Sequence, residues 1–138
     1  MNQESRIMKQ GLKKNKIKSF TDLDAWKEGH KLVLDIYKIT KKFPKEEQFG
    51  LTIQLRRAGV SLTSNIAEGF SRNSYKEKLK FYSIALGSLT EIQNQLLVAR
   101  DIGYITEKEF NQIADQSIKV NKIINGLIKK SKSIIHNS

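Results

Sequence analysis

Apolar residues recur at three- and four-residue intervals through four long stretches of this chain, with three short breaks between them. That spacing follows the 3.6-residue helical period and not the period of two expected of a strand. The first stretch begins near Thr21 or Asp22, whose side-chain oxygens suit a helix N-cap. It carries Leu23, Trp26, Leu32, Val33, Ile36, Tyr37 and Ile39. Phe43-Pro44 stops it, because a proline disfavours helix at the residue before it. The second runs from just after Pro44, with Glu46 and Glu47 at its positive end, to about Phe70. After "SRNS", Ser74-x-x-Glu77 is a capping box that opens a third helix carrying Tyr75, Leu79, Tyr82, Leu86, Leu89 and Leu96. "DIGYIT" ends it, with Gly103 as the stop. Thr106-x-x-Glu109 is a second capping box, opening a fourth helix with Phe110, Ile113, Val120, Ile123, Ile124, Leu127 and Ile128, which frays beyond 130. Four long helices on short connections predict an all-α fold, an antiparallel up-down-up-down four-helix bundle. Residues 1–20 read as a basic, mobile N-terminal arm, 21–131 as the bundle domain, and 132–138 as a frayed C-terminal tail.

The second helix breaks the simple amphipathic pattern. Its segment "QLRRAGVSLTSNIAEGF" spans Gln54 to Phe70. At about 100° per residue, with Gln54 at zero, Arg57, Ser61, Ser64, Asn65 and Glu68 share one sector of roughly 100°. Leu51, Leu55, Ala58, Leu62, Ile66 and Phe70 occupy about 40–160°, and Phe49, Ile53, Val60 and Ala67 about 220–260°. A helix at the edge of a monomeric bundle needs one apolar stripe. Two stripes around a polar strip predict cover from two directions, the intrachain core and a neighbouring subunit. A charge near such a seam needs a partner. Folding back about residues 72–73 sets Arg57 opposite Ser88 with Glu91 one turn away. The expectation is an Arg57–Glu91 ion pair, with close helix approach at Gly59 and Gly87.

Composition adds the partner class. The net charge is +11, but its placement is uneven. Residues 1–20 hold six cations against Glu4, and residues 119–138 hold five lysines and no acid, so each end carries +5 and the middle only +1. Lysine-rich ends contact phosphate by releasing counterions. Lys13, Lys14, Lys16, Lys18, Lys129, Lys130 and Lys132 are the nucleic-acid-binding candidates. There are no cysteines, which leaves no disulfide, thiolate zinc site or thiol nucleophile. No apolar run approaches the roughly 18 residues of a membrane span, and the first 20 residues lack a secretory apolar region. A cytoplasmic location is expected.

Catalytic patterns do not assemble. Neither His30 nor His136 completes the Glu-x-x-His motif of a di-iron bundle, since Lys27 and Ser133 stand at that offset. Neither follows an arginine at the four-to-six-residue spacing of HEPN-type ribonucleases. Ser61 and Ser64 have no nearby histidine base. Gly50, Gly59, Gly69 and Gly87 are isolated, so no phosphate loop forms. Trp26, Tyr37, Tyr75, Phe81 and Tyr82 read as core residues and His30 as a packed one. No enzyme activity, metal or cofactor is expected, and the apolar residues of the fourth helix are needed by the bundle, not by a membrane.

The order Trp26, Tyr37, "FPKEE" (43–47), "FGLTIQLRRA" (49–58), "SNIAEG" (64–69), Phe81, "GSLTE" (87–91) and "QLL" (95–97) resembles the bacterial four-helix proteins encoded by intervening sequences of 23S rRNA genes. These are sometimes labelled S23 ribosomal proteins, and the family includes the accessory variability determinant of diversity-generating retroelements. The resemblance covers roughly residues 22–128, and "RRAGVSLTSNIAEG" is its most specific part. It implies an antiparallel four-helix protomer and a homopentamer. For the retroelement member it implies binding of nucleic acid and of a reverse transcriptase. The functional expectation is a non-enzymatic oligomeric accessory protein that binds RNA or DNA through lysine-rich surfaces. The alternative is a protein-binding assembly or scaffold module with incidental basic tails. Gln54, Arg57, Ser61, Asn65, Glu68 and Glu91 are expected to form a polar seam that fixes register and subunit contact.

Overall fold

The computed structural model describes residues 16–137, and among them every regular element is a helix. Four helices make the body: α1 (Asp24–Thr40), α2 (Leu51–Ser71), α3 (Tyr75–Asp101) and α4 (Glu107–His136). Each packs on its two neighbours in a closed cycle, α4 lying beside α1. Side-chain contacts give the directions. Arg56 of α2 reaches Thr40 at the end of α1, while Gly29 near the start of α1 lies under Thr63 and Ile66. Ser61 meets Ser88, and Gly69 meets Tyr82. Gln93 meets Ser117 across the pair that the short turn after Asp101 folds back, and Gln116 meets Glu28 while Glu109 pairs with Lys42 just past the end of α1. Every adjacent pair is antiparallel, so the chain runs up, down, up and down.

The apolar faces converge on one core. Leu32, Ile36, Leu55, Leu62, Ile66, Leu89, Ile92, Leu96, Val120 and Ile124 are essentially inaccessible to solvent. Each contributes about 1.5–3 kcal/mol on burial. Helices α1 and α2 approach closely where Gly29 and Gly59 replace larger side chains. A Cβ at Gly59 would lie 3.3 Å from Ile36 Cδ1. Gly87 does not share this role, because it is exposed and a Cβ there would meet nothing within 4 Å.

The helix ends depart from expectation in three places. A 3-10 turn, Phe20–Asp22, precedes α1, held by a reciprocal capping box between Ser19 and Asp22. A second 3-10 turn, Lys45–Glu47, follows Pro44, and α2 begins only at Leu51. Glu47 is the reason. Its Oε1 accepts from Leu51 N–H at 3.1 Å and does the work of a cap, while its Oε2 accepts from the Tyr104 hydroxyl at 2.7 Å. The hydrogen bonds hold the Glu47 carboxyl below its usual range and push the Tyr104 phenol up to about 12. Finally, α4 stays helical through His136, with Ser131 only 2% exposed, where fraying was expected beyond 130. The capping box at Thr106 and Glu109 forms in full. At Ser74 the hydroxyl accepts from Glu77 N–H without the return bond to the backbone. Gly103, at φ +83°, closes α3 with Tyr104 N–H on Ala99 O and Gly103 N–H on Arg100 O, the Schellman arrangement.

Candidate nucleic-acid interface

An up-down bundle of four helices collects alternate helix ends at each pole. The start of α1, the α2–α3 turn and the end of α4 share one of them. Exposed Lys16 and Lys18 lead into α1, and exposed Lys129, Lys130 and Lys132 stand on the last turns of α4. Lys13 and Lys14 lie outside the described residues. The sequence reading omitted the third contributor, the α2–α3 turn, which brings Arg72 and the exposed Lys76 and Lys80 to the same pole. These lie in the nearly neutral middle of the chain, and only helix direction reveals that they join the two basic ends.

Not every cation there is free. Lys78 is turned inward. Its Nζ donates to Phe70 O at 2.6 Å and Gly69 O at 3.3 Å, satisfying the last carbonyls of α2. Burial lowers its pKa. Arg72 pairs with Glu68 at 3.1 Å and lies 4.6 Å over the Phe81 ring. Along α4, Lys119 is tied to Glu28 at 3.3 Å. The Glu28 carboxyl is held below its usual value first by the Gln116 amide and then by Lys119. The exposed lysines at 16, 18, 76, 80, 129, 130 and 132 are the ones aimed at solvent.

The polar seam splits into an inner and an outer part. Ser61 and Ser88 share a 2.8 Å hydrogen bond between α2 and α3, and Asn65 Nδ2 donates to Ser61 O at 2.8 Å. Gln54, Arg57, Glu68 and Glu91 are exposed on the protomer surface. The expected Arg57–Glu91 ion pair does not form. The contact of Ser61 with Ser88 sets the register one turn later than a fold-back at 72–73 requires. That register brings Arg57 level with Ile92, next to Glu91 in the chain, so axial level is not what separates the pair; both side chains are exposed on the protomer surface. Glu91 accepts instead from Gln95 Nε2 at 3.2 Å, and Gln95 Oε1 is left buried without a partner.

The second apolar stripe of α2 is open to solvent at Val60, 44% exposed, and Phe49, which lies in the connection before α2, is 84% exposed. A matching strip runs along α3. Ile84, Glu91, Val98 and Ile102 fall within about 40° of one another on the helical wheel, one step outward from Ser88. Ile84, Val98 and Ile102 are 44%, 43% and 51% exposed. The expectation of core placement is also corrected for Tyr75, which is 38% exposed, and for Tyr37. Tyr37 is 38% exposed beside Phe49, its ring under the Arg56 guanidinium at 4.6 Å. Trp26 and His30, by contrast, stack on one another at 4.6 Å and are partly buried. Among the described residues no group of three or more His, Asp or Glu side chains is placed to hold a metal ion, and no helix is long and apolar enough to cross a membrane.

Comparison with known proteins agrees with this architecture. A crystal structure of a protein of unknown function from the S23 ribosomal protein family of Bacteroides thetaiotaomicron VPI-5482 superposes with a TM-score of 0.71. It shares 24% identity, covering 76% of this chain and 98% of that one. That likeness is one of fold. No match is found among curated proteins. The model of the 23S rRNA-intervening sequence protein family matches residues 21–126, the whole bundle short of the last turns of α4. The chain belongs to the 23S rRNA-intervening sequence protein family.

Proposed function

We propose that the chain is a non-enzymatic accessory protein that assembles with copies of itself and binds RNA or DNA phosphates through its basic pole. The observation that carries this reading is the gathering of Lys16, Lys18, Lys76, Lys80, Lys129, Lys130 and Lys132 at one end of the bundle. Surface lysines are flexible point charges, suited to phosphate and indifferent to base identity. Assembly is supported by the outer strip of α3, where Ile84, Val98 and Ile102 remain exposed around Glu91. An exposed apolar strip of this kind marks an interaction site. A ring of copies, a homopentamer by family resemblance, leaves the poles free.

The experiment is fluorescence anisotropy with a labelled duplex across a salt series, together with solution mass. The slope of log K against log salt steepens by roughly 0.9 for each phosphate contacted on duplex DNA. Replacing Lys129, Lys130 and Lys132 by Glu is expected to flatten that slope by about two to three and to leave the mass unchanged. The outer strip of α3 favours a second reading, a scaffold that binds another protein. Absence of binding at low salt, with an assembled mass retained, would establish that reading in place of the first.

A further inference from the structure

The pole opposite the lysine cluster carries a groove of different chemistry. Tyr37 at the end of α1, Gln48 and Phe49 in the connection, and Thr52, Ile53 and Arg56 in the first turns of α2 line an open cleft of about 510 Å³, with Arg57 and Val60 on its rim. Phe49 is the most exposed large apolar residue of the described chain at 84%. No residue lining the cleft is acidic. Of the acids in the neighbouring connection, Glu47 is engaged by Tyr104 and by Leu51 N–H, and Glu46 is exposed. Exposed Lys38, Lys41 and Lys45 are close in sequence to the lining residues.

Arg56 is held in place before any ligand arrives. Its Nε donates to Thr40 Oγ1 at 2.9 Å, and its guanidinium lies 4.6 Å over the Tyr37 ring. Thr40 is itself buried and bonded to Ile36 O at 2.7 Å. A guanidinium fixed in this way presents its remaining N–H groups as a preorganised fork for phosphate oxygens. An exposed aromatic ring beside a fixed guanidinium is the combination that unpaired nucleotides meet on proteins binding single strands: a π face for the base and a cation for the backbone.

We propose that this groove takes an unpaired nucleotide of the bound nucleic acid, the base stacking on Phe49 and its phosphate meeting Arg56. The inference rests on the nucleic-acid reading above and adds a preference for single strands. In a duplex the base faces are already stacked and cannot reach Phe49. The cleft lies about 30 Å from the lysine pole along α2.

The test measures the affinity of the full chain for a labelled single strand of roughly twelve nucleotides and for the duplex of the same sequence, long enough to span α2. Phe49→Ala is expected to weaken single-strand binding about 5- to 100-fold, the worth of one base–aromatic stack, with the salt slope unchanged because no cation is lost. Duplex affinity is expected to stay the same, and Phe49→Trp to restore single-strand binding. Thermal melting of each variant should match the parent, since Phe49 is exposed. Equal single-strand affinity for Phe49→Ala and the parent, with duplex binding intact, overturns the groove and spares the lysine pole. Loss of assembled mass in Phe49→Ala without loss of affinity overturns it in favour of a contact between copies. Absence of binding to either strand form by the parent overturns both readings.

Discussion

Gly69 offers a stringent test of how α2 and α3 are joined. It lies near the end of α2, and a Cβ built on it would stand 2.6 Å from Tyr82 Cε1, 2.9 Å from Tyr82 Cδ1 and 3.3 Å from Phe81 Cβ. Tyr82 is only 4% exposed, so its ring has little room to swing away, and the Phe81 Cβ moves only with its backbone. Alanine at this position gains up to about 1 kcal/mol of helix propensity. Against that stands the cost of overpacking a filled site, about 1–3 kcal/mol. The net expectation for Gly69→Ala is a destabilisation of about 1–2 kcal/mol. Unfolding entropy near 2.1 cal/mol/K per residue gives about 0.3 kcal/mol per degree for a chain of this length, so Tm should fall by about 3–7 °C. Gly126 supplies the control. It sits in α4, exposed, with nothing within 4 Å of a built Cβ, and Gly126→Ala should raise Tm by about 2–3 °C. Far-UV circular dichroism melts at one fixed protein concentration read both, so that any assembly contributes equally. Tyr82→Leu should relieve part of the Gly69→Ala penalty in a double-mutant cycle. If Gly69→Ala stabilises the protein as Gly126→Ala does, propensity alone governs both sites and the tight contact at Tyr82 is refuted.

Other sites give independent expectations. Gly103→Ala places a Cβ at φ +83° and should cost about 1–2 kcal/mol, read as a lower urea midpoint at unchanged m-value. Ser61→Ala and Ser88→Ala should each cost about 1 kcal/mol, and the double variant less than their sum, since the second change removes a hydroxyl already lacking its partner. The Tyr104–Glu47 hydrogen bond should make stability pH-dependent at both extremes. Glu47 has a depressed pKa, so its contribution is present above 4.5 and disappears as pH falls through the lowered folded value. Tyr104 has a raised pKa, so its contribution is complete below 10 and is lost as pH rises through about 12. Urea titrations of Tyr104→Phe should show a flatter pH dependence in both windows, and a profile identical to the parent would remove the bond from the account.

The four helices are legible in the sequence because each break is made by local chemistry: Pro44 after α1, Ser74 before α3, Gly103 after it, and Thr106 with Glu109 before α4. The late start of α2 was not legible. It depends on Glu47, a residue that favours helix by propensity but is drawn to Leu51 N–H and to Tyr104, more than fifty positions away. The Arg57–Glu91 pair failed for a similar reason. Level along the axis can be counted, but the angle at which two helices face each other is set by which side chains interdigitate, here Ser61 with Ser88 and Gly69 with Tyr82. Helical spacing places Val60 and Tyr37 on apolar stripes and still cannot say that those stripes stay open, and Phe49, counted into the second stripe, lies before α2 begins. The lysine pole combines both situations. Its terminal members are obvious from charge runs, whereas Lys76 and Lys80 become part of it only once the direction of α3 is known.

The even number of helices has a consequence for connectivity. A chain that goes up, down, up and down returns to the pole it left, so Lys16 and Asn137, the limits of the described structure, sit at the same end of the molecule. A protein joined directly at Lys16 or at Asn137 emerges over the lysines, whereas a fusion inserted at Ile102–Thr106, in the turn between α3 and α4, emerges at the far pole. A circular permutant opened at that turn, with Lys16 and Asn137 joined by a linker, preserves every pair of neighbouring helices. The linker then forms a covalent bridge across the basic surface. Topology alone makes the two poles of this bundle separately addressable.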